Sequence, residues 1–120
     1  MTRKALMCLI ITVLSVSLVA CGKKYEKEIE EVTNLEAKDR NDVSDKNFNK
    51  YERKNSDIYV YEDGSVITLT YKALKDNDNT ASRLYRKNET TGKYEKDYNA
   101  KPKKYMKSHE PDYKEENLSK

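Results

Sequence analysis

The fold is decided by Ile58-Tyr59-Val60-Tyr61-Glu62-Asp63-Gly64-Ser65-Val66-Ile67-Thr68-Leu69-Thr70-Tyr71. Two runs rich in β-branched and aromatic residues flank Asp63-Gly64. That dipeptide favours a type I′ hairpin turn, in which both central residues need φ > 0. A two-residue loop sets Glu62 opposite Ser65, Val60 opposite Ile67 and Ile58 opposite Leu69. Ile58, Val60, Ile67 and Leu69 then share one face with Tyr71, while Tyr59, Tyr61, Val66, Thr68 and Thr70 form the other. Turn chemistry and alternation give the same register independently, and one face is apolar enough to need a cover.

Upstream, residues 23 to about 43 supply that cover. At 100° per residue, Tyr25, Ile29, Val32 and Leu35 gather within about a third of a helix circumference, and Val43 returns to that face. The remaining positions carry Glu26, Lys27, Glu28, Glu30, Glu31, Lys38 and Arg40, a solvated face. Glu36 precedes Arg40 by four residues, the favourable orientation for a surface pair. Residues 41–57 are polar; Phe48 and Tyr51 are expected to form a short helical turn over one edge of the core.

Downstream, residues 80–87 read as a third strand, with Leu84 inward and Arg83 and Tyr85 outward, or the reverse. Residues 88–92 turn the chain, and 93–97 form a weaker fourth strand around Tyr94. Short connections make this an antiparallel meander. The expected fold is α+β: an N-terminal helix packed on an antiparallel sheet of about four strands, in one domain over residues 21–97. Residues 98–120 carry Pro102 and Pro111 with no apolar period and read as a polar, disordered tail. Lys101, Lys103, Lys104 and Lys107 cluster there, ahead of Glu110, Asp112, Glu115 and Glu116. The basic group offers contact with anionic headgroups or wall polymers; a solubilising tail is the plain alternative.

The other end gives an address. Arg3 and Lys4 precede the uncharged run Ala5–Ala20, which is shorter than the roughly 20 apolar residues of a spanning helix. The run closes in Leu18-Val19-Ala20-Cys21-Gly22. Residues 1–20 therefore read as a lipoprotein signal peptide. Leu18, Val19 and Ala20 would form the signal-peptidase recognition site, and Cys21 would carry a diacylglycerol group. A thiol is the nucleophile that takes the lipid, and small residues let the peptidase reach the backbone. Two acyl chains, at about 0.8 kcal/mol per buried CH₂, hold a protein stably to a bilayer. The expected location is the extracytoplasmic face of the cell membrane. Cys8 leaves with the signal, so no disulfide is expected. Arg3 and Lys4 leave too, and the formal charge falls from +3 to +1. That balance gives no basic face for nucleic acid.

Ala20-Cys21-Gly22-Lys23-Lys24-Tyr25, a charged helix ending near Asn34-Leu35-Glu36, then Ile58-Tyr59-Val60-Tyr61 and Tyr71-Lys72, together resemble small Gram-positive, staphylococcal-type lipoproteins with a cystatin-like domain of unknown function. The resemblance implies a helix cradled by a sheet of about four strands and brings no activity with it. Cystatins proper inhibit cysteine proteases through an N-terminal glycine segment, a Gln-x-Val-x-Gly hairpin and a Pro-Trp hairpin. Here the first hairpin reads Tyr61-Glu62-Asp63-Gly64-Ser65, there is no Trp, and Gly22 adjoins Cys21. Cystatin-type protease inhibition is accordingly the alternative reading.

Catalytic chemistry finds little support. The single His, His109, lies in the tail beside Glu110 and Pro111, and a nucleophile needs a base nearby. After loss of the signal no Cys–His set remains for zinc. Asp76-Asn77-Asp78-Asn79 lacks the glycine and distal Glu of an EF-hand loop, so no metal is expected. Apart from the lipid on Cys21, no cofactor is expected. Ten tyrosines stand against one Phe. Tyr59, Tyr61 and, with the appropriate facing, Tyr85 form a candidate binding surface, since Tyr gives contact area at low entropy cost; equally, they are strand formers awaiting cover. The expected function is a lipid-anchored, non-enzymatic binding or accessory module whose partner is an envelope protein or wall polymer.

Overall fold

The structure, a computed structural model, describes residues 24–43 and 45–119. The signal segment, Leu18, Val19, Ala20, Cys21 and Gly22 lie outside the described residues. Helix α1 spans Glu26–Asn41. Glu26 and Glu28 stand in its first turn and Lys38 and Arg40 in its last, each opposing the charge of the nearby helix end. The strands are β1 (Ser56–Tyr61), β2 (Val66–Tyr71), β3 (Ala81–Lys87), β4 (Tyr94–Lys96) and β5 (Tyr113–Glu116), with helix α2 (Pro102–Ser108) before β5. They form one antiparallel sheet in the order β4-β3-β2-β1-β5.

The hairpin register is the expected one: Val60 faces Ile67 and Ile58 faces Leu69. The Ser65 N–H returns to the Glu62 carbonyl at 3.1 Å. Asp63 at φ 53° and Gly64 at φ 95° make the type I′ turn, and Glu62 also adopts positive φ.

Beneath α1, Tyr25, Ile29 and Val32 pack on Ile58, Val60, Ile67, Leu69, Tyr71, Tyr85 and Tyr94. The expected stripe fails at its third turn. Leu35 is 37% exposed and Glu36 is fully buried in its place. Val43 is also exposed. On β3 the second of the two facings holds: Tyr85 belongs to the α1 side and Leu84 to the other.

The sheet has five strands, one more than the sequence pattern suggested, and the extra strand comes from the stretch read as a disordered tail. α2 covers the second face, where Tyr61, Val66 and Leu84 are buried against Tyr59, Ala100, Tyr105 and Met106. β5 then pairs with β1, Val60 opposite Tyr113 and Asp57 opposite Glu116. Its outward positions are charged, as suits an edge strand that must resist pairing with other chains, and that polarity disguises it. Arg53 clamps β5 through Glu115, with Nε and Nη2 at 2.9 and 2.8 Å from its two oxygens, and reaches Glu26 of α1 at 2.7 Å. Phe48 is not in a helical turn: it forms an isolated bridge with Leu74. Tyr51 is buried in the core, its hydroxyl 2.8 Å from the Ser56 hydroxyl. Among the described residues no helix is long and apolar enough to cross a membrane.

Candidate functional site

The inward stripe of α1 runs Tyr25, Ile29, Val32, Glu36, Arg40, a spacing of four, three, four and four that keeps all five toward the sheet. Its last two members are charged. A buried carboxylate is tolerable only when its oxygens are satisfied. Glu36 accepts from the Tyr71 hydroxyl, from the Tyr85 hydroxyl at 2.7 Å and from the Lys96 ammonium at 2.8 Å. Arg83 Nε lies 3.8 Å away. Burial alone would raise the Glu36 carboxyl, but the bonds from Lys96, Tyr71 and Tyr85 outweigh it and hold it below the usual carboxylate range. Burial, and then the bond to Glu36, push both Tyr71 and Tyr85 well above ordinary phenols. Burial would lower Lys96, yet its bonds to Asp39 and Glu36 prevail and raise it.

Arg40 completes the group differently. Its Nη2 donates to the Ala73 carbonyl at 2.7 Å and the Asn49 carbonyl at 3.4 Å, and the guanidinium lies 4.4 Å over the Phe48 ring. The residue is 9% exposed, its buried Nε has no acceptor, and it makes no ion pair among the described residues. Lys96 and Arg83 balance Glu36 and Asp39; Arg40 leaves one positive charge over.

These cations border an open cleft of about 390 Å³ between the end of α1, the first half of β3 and the segment after β4. Val43, Tyr98 and Pro102 add apolar surface, and Tyr98 is 81% exposed. A half-open cleft with convergent charges fixed by a buried carboxylate is suited to holding an anionic group.

The opposite end of the molecule is closed. The Tyr25 hydroxyl donates to Asp63 at 2.9 Å, the Tyr94 hydroxyl to the Gly64 carbonyl, and the Asp63 N–H to Asp112 at 2.7 Å. Tyr105 donates to Glu62. The hairpin tip is held from four directions.

The three tyrosines proposed as a surface are not brought together. Tyr61 is 2% exposed beneath Tyr105, their ring centroids 5.1 Å apart edge to face. Tyr85 is equally buried, on the opposite face, bound to Glu36. Tyr59 is half-buried and donates to Glu116 at 3.0 Å; burial, then that bond, push it up to about 12. Each is accounted for by packing, so these three tyrosines do not form one exposed surface. His109 is exposed and stacks on Tyr105 with centroids 3.8 Å apart. The 76–79 loop uses its side chains locally: Asp78 pairs with Lys72, and Asn77 accepts from the Asn79 N–H. No group of three or more metal-ligating side chains occurs among the described residues. The residues missed from sequence are Glu36, Arg40, Arg83 and Lys96. For the first two, a signal was available: helical spacing from Tyr25 reaches positions 36 and 40 directly.

The model of a family described as a domain of unknown function with cystatin-like fold (DUF4467) matches residues 25–117. The match runs through β5 and therefore includes most of the stretch read as a tail. The crystal structure of a DUF4467 family protein from Staphylococcus aureus subsp. aureus Mu50 is similar, with a TM-score of 0.71 and 29% sequence identity. The alignment covers 78% of this chain and 97% of that one. No curated protein matches the chain.

Proposed function

Because this chain belongs to the DUF4467 family of cystatin-like domains, whose function is unknown, we propose that it is a lipid-anchored, non-enzymatic binding module on the extracytoplasmic face of the cell membrane. It holds an envelope protein or wall polymer in the cleft beside Glu36. The observation that carries this reading is that the closed and open ends of the fold lie at opposite ends of α1. Tyr25, at the start of the helix, touches the hairpin tip, with its ring about 3.5 Å from where a Gly64 Cβ would stand. Arg40, the fifteenth residue of the helix, borders the cleft. Helical rise separates the two by about 22 Å.

Cys21 lies only three residues before Lys24, a reach of at most about 11 Å of extended chain. A lipid on Cys21 would therefore draw the closed end to the bilayer and leave the cleft facing outward. The same geometry weighs against the cystatin-type alternative. An inhibitory wedge is built from the N-terminal segment and the hairpin tips; here these would face the anchor, Gly22 adjoins the lipid site, and the sequence lacks the Gln-x-Val-x-Gly and tryptophan features the wedge uses.

In-cell crosslinking and mass spectrometry test the proposal. The expected result is a specific envelope neighbour that is lost when Cys21→Ala removes the lipid site. Unchanged neighbours in that variant would refute the anchored module. Inhibition of a papain-like protease at micromolar concentration would favour the alternative.

A further inference from the structure

β3 has seven residues and β4 only three, so part of β3 has no neighbour on the β4 side. Which backbone groups face that gap follows from the ladder. The Lys87 N–H bonds the Ser65 carbonyl, so residues 81, 83, 85 and 87 direct their backbone groups to β2. Residues 82, 84, 86 and 88 direct theirs to β4. The Asn88 N–H bonds the Lys93 carbonyl and the Asp97 N–H bonds the Leu84 carbonyl, in keeping with that parity. After Asp97 the chain departs toward α2. Among the described residues Ser82 is thus left with its N–H and carbonyl at an open edge, the carbonyl touched only by Arg83 Nη1 at 3.3 Å.

This edge is flanked by cations on both faces of the sheet. On the α1 side are Arg40, the charge without a carboxylate, and Arg83. On the α2 side a shallow recess holds Ala81, Ser82, Lys101 and Lys104, the two lysines being exposed. A strand added beside Ser82 would send successive side chains alternately to these two faces. Most exposed edges are defended by charge. Here Asp39 and Asp97 also line the cleft but are paired with Lys96 and Arg86, so the charges left at the edge are positive, which leaves it open to a chain of the opposite sign.

We infer that the unpaired edge of β3 at Ser82 is a docking strand for an extended acidic segment of a partner protein, its carboxylates meeting Arg40 and Arg83 on one face and Lys101 and Lys104 on the other. The inference rests on the binding-module reading and names its partner's chemistry. Backbone pairing gives the segment its strand form, and the cations select acidic residues. With only two edge hydrogen bonds from Ser82, charge supplies much of the affinity, so binding weakens as salt rises.

The test uses the full chain in detergent micelles and a fluorescein-labelled eight-residue peptide of glutamate and valine. The acidic peptide binds, and the same peptide with lysine for each glutamate does not. Proline at alternate positions, which removes N–H donors without changing charge, weakens binding by about tenfold or more, as does Lys101→Glu with Lys104→Glu. Both lysines are exposed, so the double variant keeps its fold. Amide exchange at Ser82 slows when the acidic peptide is present. Polyphosphate binding as tightly as the peptide, with no slowing at Ser82, would overturn the inference in favour of a general polyanion patch. So would equal binding of the lysine peptide, or none at millimolar concentration. If the anchored neighbour is found by crosslinking while the acidic peptide fails, this inference alone falls.

Discussion

The two ends of this domain are built from the same residue types to opposite effect. At the closed end, tyrosine hydroxyls reach backbone and carboxylate groups of the hairpin tip: Tyr25 to Asp63, Tyr94 to Gly64, Tyr105 to Glu62. Each bond ties a hydroxyl to the hairpin tip, and none fixes a cation. At the open end, Tyr71 and Tyr85 serve one buried carboxylate, and that carboxylate in turn fixes Lys96 and Arg83 at the rim of a cleft. The first arrangement uses up its polar groups. The second holds cations in position and leaves Arg40 without a partner of opposite charge among the described residues. A chain with ten tyrosines, one phenylalanine and no tryptophan has a core whose large side chains carry hydroxyls, and buried hydroxyls need acceptors. One end supplies acceptors from the turn, the other from Glu36.

The contrast breaks most severely at Glu36. Glu36→Gln removes the charge that balances Lys96, whose side chain is 10% exposed. Stranding one member of a buried ion pair costs about 3–5 kcal/mol, toward the lower end here because Asp39 still pairs with Lys96. The urea midpoint should fall with its m-value unchanged.

The same carboxylate governs the pH limits. The folded carboxyls of Glu36 and Glu115 lie below their ordinary 4.5, the first held by Lys96 and the tyrosines, the second by Arg53. Their stabilisation is full above that value and is lost as pH falls through the lower folded ones. Tyr71 and Tyr85 lie above 10.0, so their contribution is full below 10.0 and is lost as pH rises through their folded values. A melting temperature scanned against pH should form a plateau between these limits, and Glu36→Gln should soften its acid edge.

At the closed end the effects are smaller. A Cβ on Gly64 would stand at ordinary contact distance from the Tyr25 ring, so Gly64→Ala costs mainly the left-handed backbone, about 1–2 kcal/mol, measurable by the same denaturation. The smallest effect belongs to the cleft's own surface. Tyr98→Ala should leave stability within about 0.5 kcal/mol, while weakening capture of the crosslinked neighbour.

The hairpin was legible because two independent signals, Asp-Gly and the alternation of Ile58, Val60, Ile67 and Leu69, required one register. Leu35 misleads because its hydrophobicity competes with geometry: spacing from Tyr25 and Ile29 points to position 36, and a glutamate there reads as surface until three donors from β2, β3 and β4 are seen to meet it. Those donors are 35 to 60 residues away in sequence, and nothing local reveals them. β5 was hidden because Tyr113-Lys114-Glu115-Glu116 has one aromatic and three charges. What makes it a strand is the unpaired edge of β1 and the grip of Arg53 on Glu115. The tyrosine surface was misread for a related reason. Alternation assigned Tyr59 and Tyr61 correctly to the face away from α1, but no pattern announced that α2 would cover it.

In the proposed orientation the closed end faces the membrane and the cleft faces away. That orientation is tested most directly by paramagnetic broadening in the lipidated full chain, incorporated in nanodiscs whose headgroups carry a gadolinium chelate. Amides of residues 62–65 and 88–92 should be strongly broadened, and those of 73–83 should keep their intensity. Broadening strongest at 73–83, or absent from both ends, would contradict the account.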